Sequence, residues 1–180
     1  TERLTGEAGP YNAVFTTNGI ASTTASIIAA SLGMNDLSAL TEDDVEAIKR
    51  AHLLLAMYNA WQPGVFALSG WDLVGALPVD RRQVAALIRD GDTRWIHRGA
   101  YDLLGFQPDT NESASKMPKA RALYGSLAEQ LADDDSFASR LREILDVRAR
   151  HGIATARQLD VPAVSSKGML VLVHRLAEAD

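Results

Sequence analysis

The sequence contains no cysteine. That excludes a disulfide framework and a thiolate metal site, and it leads to the expectation of a cytoplasmic protein. A concentrated run of basic residues is missing too. Eighteen Lys and Arg are spread along a chain of formal net charge -5, so no stripe tracks a phosphate backbone and nucleic acid is not an expected partner. Apolar stretches are broken by Gly, Ser, Thr or charge well before membrane-spanning length, so no membrane span is expected. No secretory signal pattern stands at the amino end. Nor is there a Gly-rich phosphate loop of standard spacing, or a His-x-Glu or His-Glu-x-x-His metal spacing. Leu68-Ser69-Gly70 lacks the Gly two residues before the Ser that a nucleophile elbow needs, which disfavours acyl transfer.

What is present suffices for a core. At 47% hydrophobic over 180 residues, the chain can bury one domain or slightly more. It begins at Thr1 rather than Met, from which we expect a segment of something longer. Helical signals dominate. Residues 22–32 place Ile27, Ile28 and Leu32 at helical spacing, with Gly33 as a stop. Thr41 and the acidic Glu42, Asp43 and Asp44 read as a helix start, and Pro63 as the end. This helix turns apolar nearly all round after Ala51, so its second half is expected to be buried, with His52 and Asn59 partnered inside it. Asp80 caps a predicted helix over 81–90 that stops at Gly91, and residues 119–124 suggest a helical turn. Ser136 opens a helix running to Arg150, with Phe137, Leu141, Ile144/Leu145 and Val147/Arg148 on one face and Gly152 closing it.

Two stretches read as strands. Val65 to Leu68, between Pro63-Gly64 and Ser69-Gly70, has the length of a strand buried on both faces. Gly168 to Leu176 is rich in Val and Leu. Tyr11 to Thr17 alternates weakly and reads as a short strand or an extended loop. The character changes from helical to extended near Thr155, where a second domain is expected to begin.

Polar and aromatic groups gather after the 65–68 run. In a parallel α/β fold the carboxyl end of a strand is where binding and chemistry sit, so Trp71 and Asp72 are the first site candidates. An aromatic ring stacks on sugar C–H groups and a neighbouring carboxylate accepts from hydroxyls. The plainer alternative is a core Trp and a capping Asp. Arg94, Trp95, His97 and Arg98 form a second cluster, whose plainer alternative is ion pairing with Asp72, Asp90, Asp92 or Asp102. The Asp133–Asp135 run reads as a solvated cap rather than a metal site.

These clusters carry a resemblance. Trp61-Gln-Pro-Gly-Val-Phe-Ala-Leu-Ser-Gly-Trp-Asp-Leu-Val-Gly75 resembles the eighth-strand region of α-amylase superfamily enzymes, with Asp72 where that family usually has Glu. Arg94-Trp-Ile-His-Arg-Gly-Ala-Tyr-Asp-Leu-Leu-Gly105 and Leu123-Tyr-Gly-Ser-Leu-Ala-Glu-Gln-Leu131 resemble the trehalose synthase (maltose α-D-glucosyltransferase) family. Ser136 to Leu145 is similar to that family's last barrel helix, and Lys167 to Arg175 to the first strand of its carboxyl-terminal β domain. The resemblance implies a helix-rich α/β fold. Residues 1–154 become the closing part of a (β/α)8 TIM barrel, and 155–180 the first strand or strands of a C-terminal β domain.

It further implies an enzyme that isomerises maltose to trehalose in one site by intramolecular transglucosylation. Such a retaining reaction passes through a covalent glucosyl carboxylate and needs two carboxyl groups roughly 5–5.5 Å apart. In the family these lie on earlier strands. The family's Asn-His-Asp signature is absent here, Thr16-Thr-Asn-Gly19 being the nearest stretch, so no catalytic residue is assigned and the isolated chain is expected to be inactive. Trp71, Asp72, Arg94, Trp95 and Arg98 are expected to line or support the sugar site. Implied partners are maltose, trehalose, glucose and the rest of the parent chain. The family allows calcium and a homo-oligomer, and no metal ligand set or other cofactor motif is visible in this segment. Two other readings stand beside it: a non-catalytic module that binds sugar or a subunit, and another α-glucan-active enzyme of the same superfamily.

Overall fold

The computed structural model describes residues 22–34 and 36–177, with the backbone of Phe15–Thr16 and Gly19–Ile20. Apart from Phe15 and Thr16, the Tyr11–Thr17 stretch lies outside the described residues. Those two form strand β1, paired antiparallel with β2 (Gly19–Ile20). Among the described residues the chain is a helix-rich α/β protein with five α-helices and two two-stranded antiparallel sheets.

The longer helices begin where local chemistry satisfies their first amides. Helix α1 (Thr24–Ser31) starts from a reciprocal pairing: Ser26 N–H donates to the Thr23 hydroxyl, and Thr23 N–H donates to Ser26 Oγ. Gly33, at φ +88°, takes the left-handed position that ends it. Helix α2 (Glu42–Ala60) opens with the same device between Thr41 and Asp44, and its acidic first turn suits the helix dipole. Two short helices follow, α3 (Gly70–Leu73) and α4 (Leu127–Leu131). Helix α5 (Phe137–Arg150) is capped by Ser136 and packs against α2.

Three adjoining clusters make the core. One gathers Ala25, Ile28, Leu37, Ile48 and Leu77. A second, around Ala56, Phe137 and Leu141, joins α2 to α5. The third gathers Val74, Val79, Val84, Ile96 and Met117 from the irregular middle of the chain.

Several expectations are corrected. Residues 65–69 form no strand. No neighbouring segment pairs with them, and a strand exists only as part of a ladder. Phe66 and Leu68 pack against the α2–α5 cluster, while Val65 is 97% exposed and Ala67 is exposed too. The second half of α2 is not buried all round. His52, Ala56 and Ala60 face inward, whereas Leu54 is 63% exposed and Leu55, Tyr58 and Asn59 are open as well. Residues 81–90 form successive turns, closed by bonds such as Gln83 N–H to the Asp80 carbonyl and Leu87 N–H to the Val84 carbonyl. Val84 is their one fully buried residue, too little to hold an amphipathic helix. Residues 119–124 are extended rather than helical, because they bridge to Ala76 and Ala100.

The 168–176 stretch contributes only strand β4 (Val173–Arg175). It pairs antiparallel with β3 (Arg157–Asp160) across a register shift between Gln158 and Asp160. The described residues give no sign of a barrel segment. Both sheets are antiparallel, and the sole parallel pairing is the isolated bridge between Ala100 and Lys119, whereas a barrel of this kind needs parallel strands laddered side by side.

Candidate functional site

Helix α3 is a single turn, and its fixing is local. Ser69 is the N-cap: its hydroxyl accepts from Asp72 N–H at 3.2 Å and donates to Asp72 Oδ2 at 2.8 Å. From this turn Trp71 and Asp72 make contacts in two directions. Trp71 Nε1 donates to the Gly99 carbonyl at 2.9 Å, its ring lies 5.3 Å from that of Tyr101, and it packs half-buried on the Val74–Ile96 cluster. Gly99 itself is required by the close packing on its other neighbours. A Cβ there would stand 2.5 Å from Val79 Cγ1 and 2.8 Å from Ala120 Cβ.

Asp72 faces the other way. Its Oδ1 stands 3.7 Å from Nε2 of His52, beyond hydrogen-bond reach. His52 is 1% exposed, its Nδ1 lies 3.1 Å from the Tyr124 hydroxyl, and its ring packs 4.8 Å from Phe137. Burial holds the His52 pKa below its ordinary value against the pull of Asp72, so the ring is neutral near pH 7. A phenol donating to Nδ1 would leave the ring proton on Nε2 toward the carboxylate, the tautomer that negative charge favours. Burial, then the charges of Asp72 and Glu46, push the Tyr124 hydroxyl well above its usual range, so it stays protonated. Tyr124, His52, Asp72 and Ser69 thus stand in line between α2 and α3, with a 3.7 Å step from His52 to Asp72. This line has the makings of a structural clasp, with Asp72 only partly buried at its edge.

The second cluster divides. Arg94 is 64% exposed and forms a two-pronged pair with Asp92, both contacts at 2.7 Å. The guanidinium beside it holds the Asp92 carboxyl down at about 2. The Arg98 guanidinium lies over the Trp95 ring, 5.6 Å from its centroid, while Trp95 packs half-buried on the same cluster as Trp71. Burial first, and the Arg98 charge second, lower the His97 pKa. The structure thus brings Trp71, Trp95 and Arg98 to one cluster through Gly99, sets Asp72 against His52, and turns Arg94 to Asp92. Neither of two surface cavities, of about 420 and 90 Å³, is lined by any of the five residues.

Two organising side chains escaped the sequence reading. Gln130 is 2% exposed: its Nε2 donates to the Leu73 and Gly125 carbonyls at 2.8 and 3.2 Å, and its Oε1 accepts from Ala138 N–H at 2.9 Å. Arg148, buried, donates to the carbonyls of Ala60, Gln62 and Gly64 and so fixes the exit of α2. The available signal was a charge on the apolar stripe of α5.

Among the described residues no group of three His, Asp or Glu converges to hold a metal ion. No described helix is long and apolar enough to cross a membrane. The geometry defines a helix-rich α/β chain with a buried polar clasp beside an indole-lined cluster. Compared with protein-family models, with curated proteins and with solved structures, the chain matches none.

Proposed function

We propose that this chain is a segment of an α-amylase-superfamily enzyme that interconverts maltose and trehalose by intramolecular transglucosylation. Its catalytic carboxylates lie outside the segment. Trp71, Asp72, Arg94, Trp95 and Arg98 border the sugar site, Trp71 and Asp72 as the turn that supports it. Residues 65–68, which pair with no neighbour here, would become the closing strand only within a complete barrel, and 155–180 would begin a β domain. The resemblance supplies the chemistry, and one observation supports the placement. In the apolar run 65–68, Phe66 and Leu68 pack inward while Val65, 97% exposed, and Ala67 face out. That alternation is compatible with an extended segment covered on one face.

The test uses the natural gene product. Incubated with maltose alone, it is expected to yield trehalose, with a minor release of glucose. Parallel assays with sucrose and short maltodextrins separate it from other α-glucan enzymes. Trehalose absent from the maltose reaction overturns the reading. A second reading, a non-catalytic module bound to a subunit, is favoured by the exposed Leu54, Leu55 and Tyr58 of α2. A native product of 180 residues that binds maltose or a partner without turning maltose over would select it.

A further inference from the structure

The larger cavity lies away from the five residues above, where two extended segments part. Leu77 N–H donates to the Arg121 carbonyl at 2.8 Å. Two residues on, Val79 N–H turns to the Ile96 carbonyl at 2.8 Å, and Ala120 N–H to the Ala100 carbonyl at 2.7 Å. The gap between the diverging segments is a cavity of about 420 Å³, within the range of small-molecule sites. Leu77, Pro78 and Val79 give it an apolar wall.

Its polar wall has an uneven charge balance. Asp80 lines the cavity, but both its oxygens are held by the Arg82 guanidinium, with Nε 3.2 Å from Oδ1 and 3.0 Å from Oδ2. Lys119 donates to the Gln107 and Pro108 carbonyls, at 2.9 and 3.2 Å, and its charge acts on Asp102, so its ammonium is engaged on the side of the smaller cavity. Arg121 is anchored by one nitrogen alone. Its Nη1 donates to the Leu37 carbonyl at 2.9 Å and lies 3.5 Å from that of Ser38, both residues of the cavity lining. Its Nε and Nη2 have no hydrogen-bond partner among the described residues, and neither has the Gln83 amide on the facing rim. An arginine fixed at one corner, with its second edge open, presents the planar fork that carboxylates and phosphates engage with two bonds.

We infer that this cavity is a binding site for a small organic anion, a carboxylate or phosphate monoester on a compact body. The anionic group docks on the Arg121 fork, Gln83 contacts the body, and the Leu77–Val79 wall packs against it. The site is independent of the sugar reading.

Isothermal titration of the full chain with glycerol 3-phosphate, glycerate and glycerol tests the inference, since the three share one body and differ in the anion. Saturable binding of at least one of the two anions, and none of glycerol, is expected, and the two anion arms distinguish phosphate from carboxylate. Arg121→Gln is expected to weaken the bound anion by about tenfold or more, and Arg121→Lys, which keeps the charge but loses the fork, by a similar factor. Because Arg121 also holds the Leu37 carbonyl, thermal melts of each variant accompany the titrations, and Gln83→Ala, which breaks no internal bond, provides a weakened variant with an intact fold. Failure of both anions to bind, binding of glycerol as tight as theirs, or affinities unchanged in folded Arg121 variants overturns the inference. If neither Arg121 variant folds, unchanged affinity in Gln83→Ala overturns it and weakened affinity sustains it.

Discussion

Buried polar side chains do much of the joining here, and each can be removed singly. Arg148 satisfies three carbonyls at the end of α2 without a carboxylate partner. Arg148→Met keeps most of the apolar stem and strands those acceptors. The expected loss is on the order of 3 kcal/mol, read from the urea midpoint. His52 offers a pH-dependent case. Its pKa is lowered from 6.5 by burial, so below that value the unfolded chain binds the proton more readily than the folded one. Stability is full above pH 6.5 and falls as the pH drops toward the lowered value. His97, shifted the same way, adds to the slope. His52→Gln is therefore expected to narrow, not abolish, the gap between urea midpoints at about pH 7.5 and about pH 5.5. An equal gap in variant and parent would mean that His52 is not the titrating group.

At the scale of elements, local and non-local causes separate cleanly. The starts of α2 and α5 were legible because a Thr or Ser and the residues just after it carry the whole cap, whereas the Thr23 cap of α1 was not read. The ends at Gly33 and Gly152 were legible for the same reason, as both sit at positive φ. Residues 65–68, 81–90 and 119–124 were misread because their conformation depends on what lies alongside. The first lacks a ladder partner, the second has one buried anchor, and the third is drawn straight by Ala76 and Ala100. In the candidate site, the Ser69–Asp72 cap was open to a sequence reading as the plainer alternative. The Trp71–Gly99 bond, spanning 28 residues, was not. Helix α3 tests this division. Ser69→Ala removes a local cap and should cost about 1 kcal/mol. Gly99→Ala forces Val79 and Ala120 apart and should cost about 1–3 kcal/mol while also releasing the indole N–H. A red-shifted Trp emission accompanying only the second substitution is the expected signature.

For the whole molecule, the telling feature is where apolar surface is left uncovered. Val65 at 97% exposed, Leu54 at 63% and Tyr58 at 44% come from α2 and the segment that follows it. Scattered exposed apolar residues are ordinary on a folded surface, but here they alternate or neighbour one another on elements whose opposite faces form the core. The β3–β4 hairpin has the same character, with Leu159, Val173 and Leu176 all exposed, and a two-stranded sheet alone is marginally stable in water. The two readings of function diverge on this surface. If these faces belong to a larger barrel, Val65 is a buried strand residue in the complete enzyme and a solvated one in the 180-residue chain. Val65→Lys should then leave the melting of the isolated chain within about 0.5 kcal/mol of the parent. In the complete enzyme it should cost several kcal/mol and abolish conversion of maltose to trehalose, because a lysine head cannot be buried unpaired. Equal tolerance in both contexts would place Val65 on a true outer surface and remove the structural support for the barrel reading.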